Sequence, residues 1–131
     1  MADNDFLKAI WELTNNERRK NNLPDLVYDW KLGWAAMKHS ANMGNNDFLD
    51  HRDLEARVKA EGYEGLAGEN IYAGPSSPEA VMKGWMDSPG HRKNILNPGY
   101  RDLGVGYYFL ADDKGSVNYH YYWTQIFGTS S

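Results

Sequence analysis

The 131 residues carry 14 Lys and Arg against 18 Asp and Glu, with 41% hydrophobic and 14% aromatic side chains, which describes one small acidic domain spanning 1–131 with apolar area for one core. A formal charge of −4 excludes a protein whose business is neutralising phosphates, so no nucleic-acid partner is expected. The absence of cysteine excludes disulfides, thiol nucleophiles and Cys-ligated metals, leaving His and carboxylates as transition-metal donors.

Nowhere is there the run of ~18 apolar residues that a membrane span needs. Met1-Ala2-Asp3-Asn4-Asp5 is acidic where a signal peptide is basic and then apolar. The chain therefore reads as intracellular, or as one from which a leader has been removed.

Between Asp5 and Asn21, Phe6, Ile10, Leu13 and Glu17 recur at helical spacing with Leu7 and Trp11 beside them, predicting a first amphipathic helix ended by Leu23-Pro24. A second helix is predicted after Asp29 as N-cap. It carries two stripes, Trp30, Trp34, Met37 and Ala41 on one and Leu32, Ala36, His39 and Met43 on the next, with Gly44 as its stop. Asp53 is placed to cap a short helix that turns Leu54 and Val58 inward and stops at Gly62. Gly68-Glu69-Asn70-Ile71, between glycines, reads as a loop or short extended segment.

Ser77-Pro78-Glu79 is a strong helix start, and Ser88-Pro89-Gly90-His91 repeats it, placing His91 in the first turn of a helix broken by Asn97-Pro98-Gly99. After Tyr100 the period becomes two: Leu103, Val105, Tyr107 and Phe109 alternate, Asp112-Asp113-Lys114-Gly115 makes a solvated turn, and a second strand runs from Val117 to Phe127. Its faces are both bulky, so helices are expected on both sides of a small antiparallel sheet. The fold class is α+β.

Four histidines carry the chemical information. His39, among Ala35, Ala36 and Met43, reads as a packed core residue and His120, in an aromatic strand, as structural or exposed; His51 and His91 lie in a loop and a turn, where a scaffold can aim them into a cleft. Glu69 between Gly68 and Asn70 is either a buried carboxylate that orients a histidine or an exposed turn residue. These residues match no local zinc motif, so any shared site must be assembled by the fold. Serine-nucleophile, phosphate-loop and dinucleotide motifs are missing from the sequence.

Taken in order, Asn16-Glu17-Arg18 with Leu23-Pro24, Ala36 to Met43 with His39-Ser40, Phe48 to His51, Gly68-Glu69-Asn70-Ile71, Trp85 to Leu96, Leu103 to Gly106 and Tyr122-Trp123-Thr124-Gln125 resemble the CAP superfamily. This is the cysteine-rich secretory protein, antigen 5 and pathogenesis-related 1 group, and the likeness is to its short bacterial SCP-like form. The resemblance implies an α–β–α sandwich with a central cavity, lined by two histidines that can hold a divalent metal such as zinc and by two acids. The histidines fall on His51 and His91 and the first acid on Glu69; the second acid's position falls on Ser88, which leaves Asp87, one residue earlier, as the candidate second acid of the cavity if the helix end is shifted. Asn70 and Ser88 are candidates to support these groups.

Two functional classes follow from the resemblance. One is a monomeric extracellular or cell-envelope binding module for a lipid, glycan or protein, with a weakly held divalent metal. The other is a peptidase-like hydrolase in which a His-bound zinc activates water and Glu69 is the general base.

Overall fold

In a computed structural model the structure describes residues 2–115 and 119–129. Helix α1 spans Ala2–Lys20, and a two-residue strand β1, Val27–Tyr28, leads into α2, Trp30–Asn45. A short α3, Leu54–Ala60, precedes strand β2, Ala67–Ala73. Helices α4, Pro78–Asp87, and α5, Pro89–Ile95, follow, and strands β3, Asp102–Phe109, and β4, Tyr121–Gly128, complete the order.

The sheet order is β1-β3-β4-β2, antiparallel except for β1, which lies parallel to β3. The sheet is thus mixed, because a parallel strand too short to show a period was added at one edge. Gly68 to Ile71 is a regular edge strand, since its residues pair with Ile126, Gln125 and their neighbours on β4.

Alternation along β4 divides the core into two layers. Trp123 and Phe127 join Leu7 and Ile10 of α1, Val81 and Trp85 of α4 and Ile95 of α5. On the other face Ile126 packs with Leu32, Ala35 and Ala36 of α2 and Val58 of α3, while Tyr122 packs with Met43 and Phe48. The result is an α–β–α sandwich.

Helix α2 lies directly on the β3 backbone. A Cβ at Gly104 would stand 2.1 Å from the Gly33 nitrogen, and one at Gly106 would stand 2.3 Å from the Ala36 carbonyl carbon. Only glycine permits this approach, so the Leu32 stripe is buried, while Trp30 and Trp34 face solvent and Met37 is half-buried against the core. Asp29 caps α2 through Lys31 N and Leu32 N, as its position predicts. Gly44 does not end the helix; it is a buried contact point against Tyr108 and Tyr122, and α2 runs on to Asn45.

Three further expectations are corrected. Asp53 precedes α3 but sits in the left-handed region at φ 59° and makes no side-chain cap. Asp113 is buried, accepting hydrogen bonds from the Tyr122 hydroxyl and the His120 N–H, so that end of the hairpin is not simply solvated. His120 sits at φ 68° ahead of β4 and its Nδ1 donates to the Leu110 carbonyl, which takes it off the strand. Val117 and Asn118, the predicted start of that strand, lie outside the described residues.

Candidate functional site

The edge strand β2 presents alternate side chains to the two layers. Glu69, opposite Ile126, turns toward α2 and α3, while Asn70, opposite Gln125, turns toward α1 and α5. His51 approaches from the α2–α3 side and His91 from α5, so the histidines reach the same edge from opposite layers.

The loop before α3 is anchored first. His39, fully buried on α2, donates from Nε2 to the Asp50 carbonyl at 2.7 Å. That bond leaves Nδ1 buried without a hydrogen-bond partner, consistent with a neutral ring: burial lowers the His39 pKa, against the pull of Glu69. Asp50 and Arg52 pair through two bonds of 2.8 and 2.7 Å, and the Arg52 guanidinium lies 3.6 Å over the Phe48 ring. His51 is held between them.

Glu69 has a fully buried carboxylate with an N–H partner on each oxygen. His51 Nδ1 lies 2.8 Å from Oε1, and Arg57 grips both oxygens at 2.8 and 3.1 Å. Burial alone would raise the Glu69 pKa, but the hydrogen bonds from His51 and Arg57 outweigh it and the net shift is downward. Glu69 raises the His51 pKa in return, through the same hydrogen bond. With Nδ1 committed to the carboxylate, Nε2 is left as the second nitrogen of a side chain that is 51% exposed.

His91 is organised differently. Its Nδ1 meets Ser88 Oγ at 2.9 Å, one turn earlier in the same Ser-Pro start that the sequence marks. Burial first, and then the charge of His51, lower its pKa. A polar chain runs through the core. Asn94 donates to Asn70 at 2.9 Å, Asn70 to Gln125 at 3.0 Å and to the His91 carbonyl at 3.1 Å, and Gln125 to Thr14 at 2.7 Å. This network ties α5, and with it His91, to the sheet and α1.

The structure therefore places His51 and Glu69 in contact, His91 across the edge from them, and Asn70 and Ser88 in support. Asp87 is not among them: its carboxylate is 66% exposed and pairs with Lys83 one helical turn away. Its position on the outer face of α4 follows from Val81, Met82 and Trp85 occupying the inner one.

The sequence reading missed Arg57. Its signal was present: it stands three residues after Leu54 and next to Val58, on the face turned inward. Because Arg57 neutralises Glu69, that carboxylate is a poor metal ligand. Among the described residues no group of three His, Cys, Asp or Glu side chains is arranged to hold a metal ion. The donors that remain are the second ring nitrogens of His51 and His91, whose Nδ1 atoms are taken by Glu69 and Ser88, and two are too few for a structural zinc.

Comparison with known proteins supports the reading drawn from sequence motifs. The cysteine-rich secretory protein family, CAP, matches residues 11–127. The uncharacterized Bacillus subtilis protein YkwD is 40% identical over 128 residues, covering 93% of this chain and 46% of that protein. An extracellular protein containing a SCP domain from Bacillus anthracis superposes with a TM-score of 0.83 at 35% identity, over 96% of this chain and 41% of that one. An outer surface protein of Borrelia burgdorferi, at 21% identity, shares the fold with a TM-score of 0.82 over 95% of this chain and 92% of that one. The chain spans less than half the length of the curated relatives it matches. With the family matched over nearly all of its length, the chain belongs to the cysteine-rich secretory protein (CAP) family.

Proposed function

We propose that the domain is an extracellular or cell-envelope binding module that works by interaction, with His51 and His91 at the β2 edge as a recognition point that takes a divalent cation loosely. One observation carries this reading: both oxygens of Glu69 are held by Arg57 and His51. A carboxylate so engaged is a weak base, which favours binding over hydrolysis through Glu69. Its service is to orient His51, whose Nε2 becomes a fixed acceptor or metal donor. Zn²⁺ bound there would supply a positive centre for an anionic or carbonyl group of a partner. The location follows the extracellular SCP-domain protein and the outer surface protein that share the fold.

The test is calorimetric titration of Zn²⁺ into chelator-treated protein, beside a His51→Ala/His91→Ala variant whose fold is checked by circular dichroism. Saturable one-to-one binding, lost in the variant, is the expected result. Heat that is absent, or that survives the double substitution, would remove the metal from the account. Turnover of peptide or ester substrates that Glu69→Gln abolishes in a folded protein would overturn the binding reading in favour of the hydrolase.

A further inference from the structure

The edge of the sheet opposite the histidines carries a second, unrelated feature. A groove of about 410 Å³ is lined by Leu7, Lys8, Trp11, Tyr28 and Trp30, within the ~300–1,000 Å³ range of small-molecule sites. Two of its three aromatic rings are anchored to the backbone. Trp11 Nε1 donates to the Leu26 carbonyl at 2.9 Å, and the Tyr28 hydroxyl donates to the Val105 carbonyl at 3.2 Å. Tyr28 meets Trp11 and Trp30 edge-on, with ring centres 5.8 and 4.9 Å apart. Trp30 and Trp34, one turn apart on α2, are 57% and 52% exposed. Single exposed aromatics need no explanation, but contiguous ones mark interaction surfaces.

Trp11 also walls a second groove of about 320 Å³, which adds Glu12, Asn16, Arg19 and Asp25. The charges here cancel: Arg19 pairs with Asp25, and Lys8 lies 3.9 Å from Glu12. A charged ligand would gain no net attraction from this surface and would have to compete with pairs already formed. An acyl chain would cover the aromatic half but strip water from the polar half without replacing its hydrogen bonds. The complementary chemistry is neutral, with flat C–H faces to lie on indole rings and hydroxyls to meet carboxylate and amide groups.

We propose that this two-part trough, along α1, β1 and the first turns of α2, is a binding site for an uncharged oligosaccharide, stacked on Trp11, Tyr28 and Trp30 and hydrogen-bonded to the Glu12 carboxylate and the Asn16 amide N–H, with Arg19 already engaged by Asp25 and the Asn16 oxygen. It is separate from His51 and His91, which lie by β2, three strands away across the sheet. Trp11 and Tyr28 are already held by hydrogen bonds, so a sugar stacks on them without ordering them first.

The experiment is titration of the intact protein with chitotriose, cellotriose and maltotriose, each up to about 10 mM, read by tryptophan fluorescence and calorimetry. Saturable binding of at least one, weakened about tenfold or more by Trp30→Ala and by Glu12→Ala and unchanged by His51→Ala, is the expected result. Trp30 and Glu12 are exposed enough for their variants to fold, which circular dichroism checks. Failure of all three sugars to bind, or binding indifferent to Trp30, overturns the proposal. So does Trp30-dependent binding of laurate without sugar binding, or a dimer that Trp30→Ala dissociates in sedimentation; these would assign the trough to a lipid or a second copy of the chain.

Discussion

Arg57→Met tests whether the buried carboxylate of Glu69 depends on a residue outside the sequence motif. The Glu69 side chain is fully buried and Arg57 nearly so, and two short bonds join them. Removing the guanidinium leaves a buried negative charge with the half-exposed His51 as its remaining hydrogen-bonded side chain and His39 Nε2 3.8 Å away. Breaking a buried pair from one side costs ~3–5 kcal/mol. Since His51 remains, the lower figure applies. For 131 residues the unfolding entropy near the midpoint is about 0.28 kcal/mol/K, so ~3 kcal/mol lowers Tm by about 11 °C. Urea unfolding followed by tryptophan fluorescence measures the loss directly. The double variant Arg57→Met/Glu69→Met removes both charges and should recover much of it. An Arg57→Met loss below about 1 kcal/mol, or a double variant equal to the sum of the singles, would refute the coupling.

The pH dependence of stability has opposing parts. The His51 pKa is raised by Glu69 from its ordinary 6.5, so its contribution is complete below 6.5 and is lost as pH rises through the folded value. The Glu69 pKa is lowered from 4.5, so its contribution holds above 4.5 and is lost as pH falls through the lower folded value. The pair thus stabilises most between pH 4.5 and 6.5. His39 and His91, both lowered chiefly by burial, act in reverse and withdraw stability as pH drops below their ordinary value. In His51→Asn the deficit against the parent should therefore widen from alkaline to mildly acidic pH, by less than about 1 kcal/mol given solvent screening; a constant deficit in urea titrations across that range would count against the His51–Glu69 bond. Gly104→Ala and Gly106→Ala press a methyl into the α2 backbone and should each cost at least ~2–3 kcal/mol, whereas Gly90→Ala, with open space around it, should change stability by under about 0.5 kcal/mol; equal chemical-unfolding midpoints for all three would contradict the packing described. Arg18, fully buried, donates to the carbonyls of Pro24, Ile95, Asn97 and Tyr100, so Arg18→Met should lose about 3 kcal/mol and Arg18→Lys only part of that, measured by the same unfolding curves.

Local signals determined much of this molecule. Asp29 and Ser77 cap where their side chains can accept from the first turn, and the repeated Ser-Pro start puts His91 within reach of Ser88. Both are contacts over a few residues, dictated by backbone geometry. The two bulky faces of β4 likewise announced helices on both sides, since neither face could be left in water. His51, Glu69 and His91 stood out because the motifs resembled a family and because loop and turn positions can present a side chain.

Tertiary structure decided the rest. Which stripe of α2 is buried was settled by Gly104 and Gly106 on a distant strand, whose missing side chains admit one face of the helix. The sequence of α2 alone favours neither stripe. The state of Glu69 was settled by Arg57, on another element, and whether a carboxylate is a base, a ligand or a bound counter-charge depends on what lies within 3 Å of it in space. The aromatic trough was equally hidden, because Trp11, Tyr28 and Trp30 become one surface only when α1, β1 and α2 are brought to the same edge of the sheet. Periodicity and capping act over neighbouring residues and are written in the chain; protonation, neutralisation and groove shape arise from groups far apart in sequence, and these the packing alone brings together.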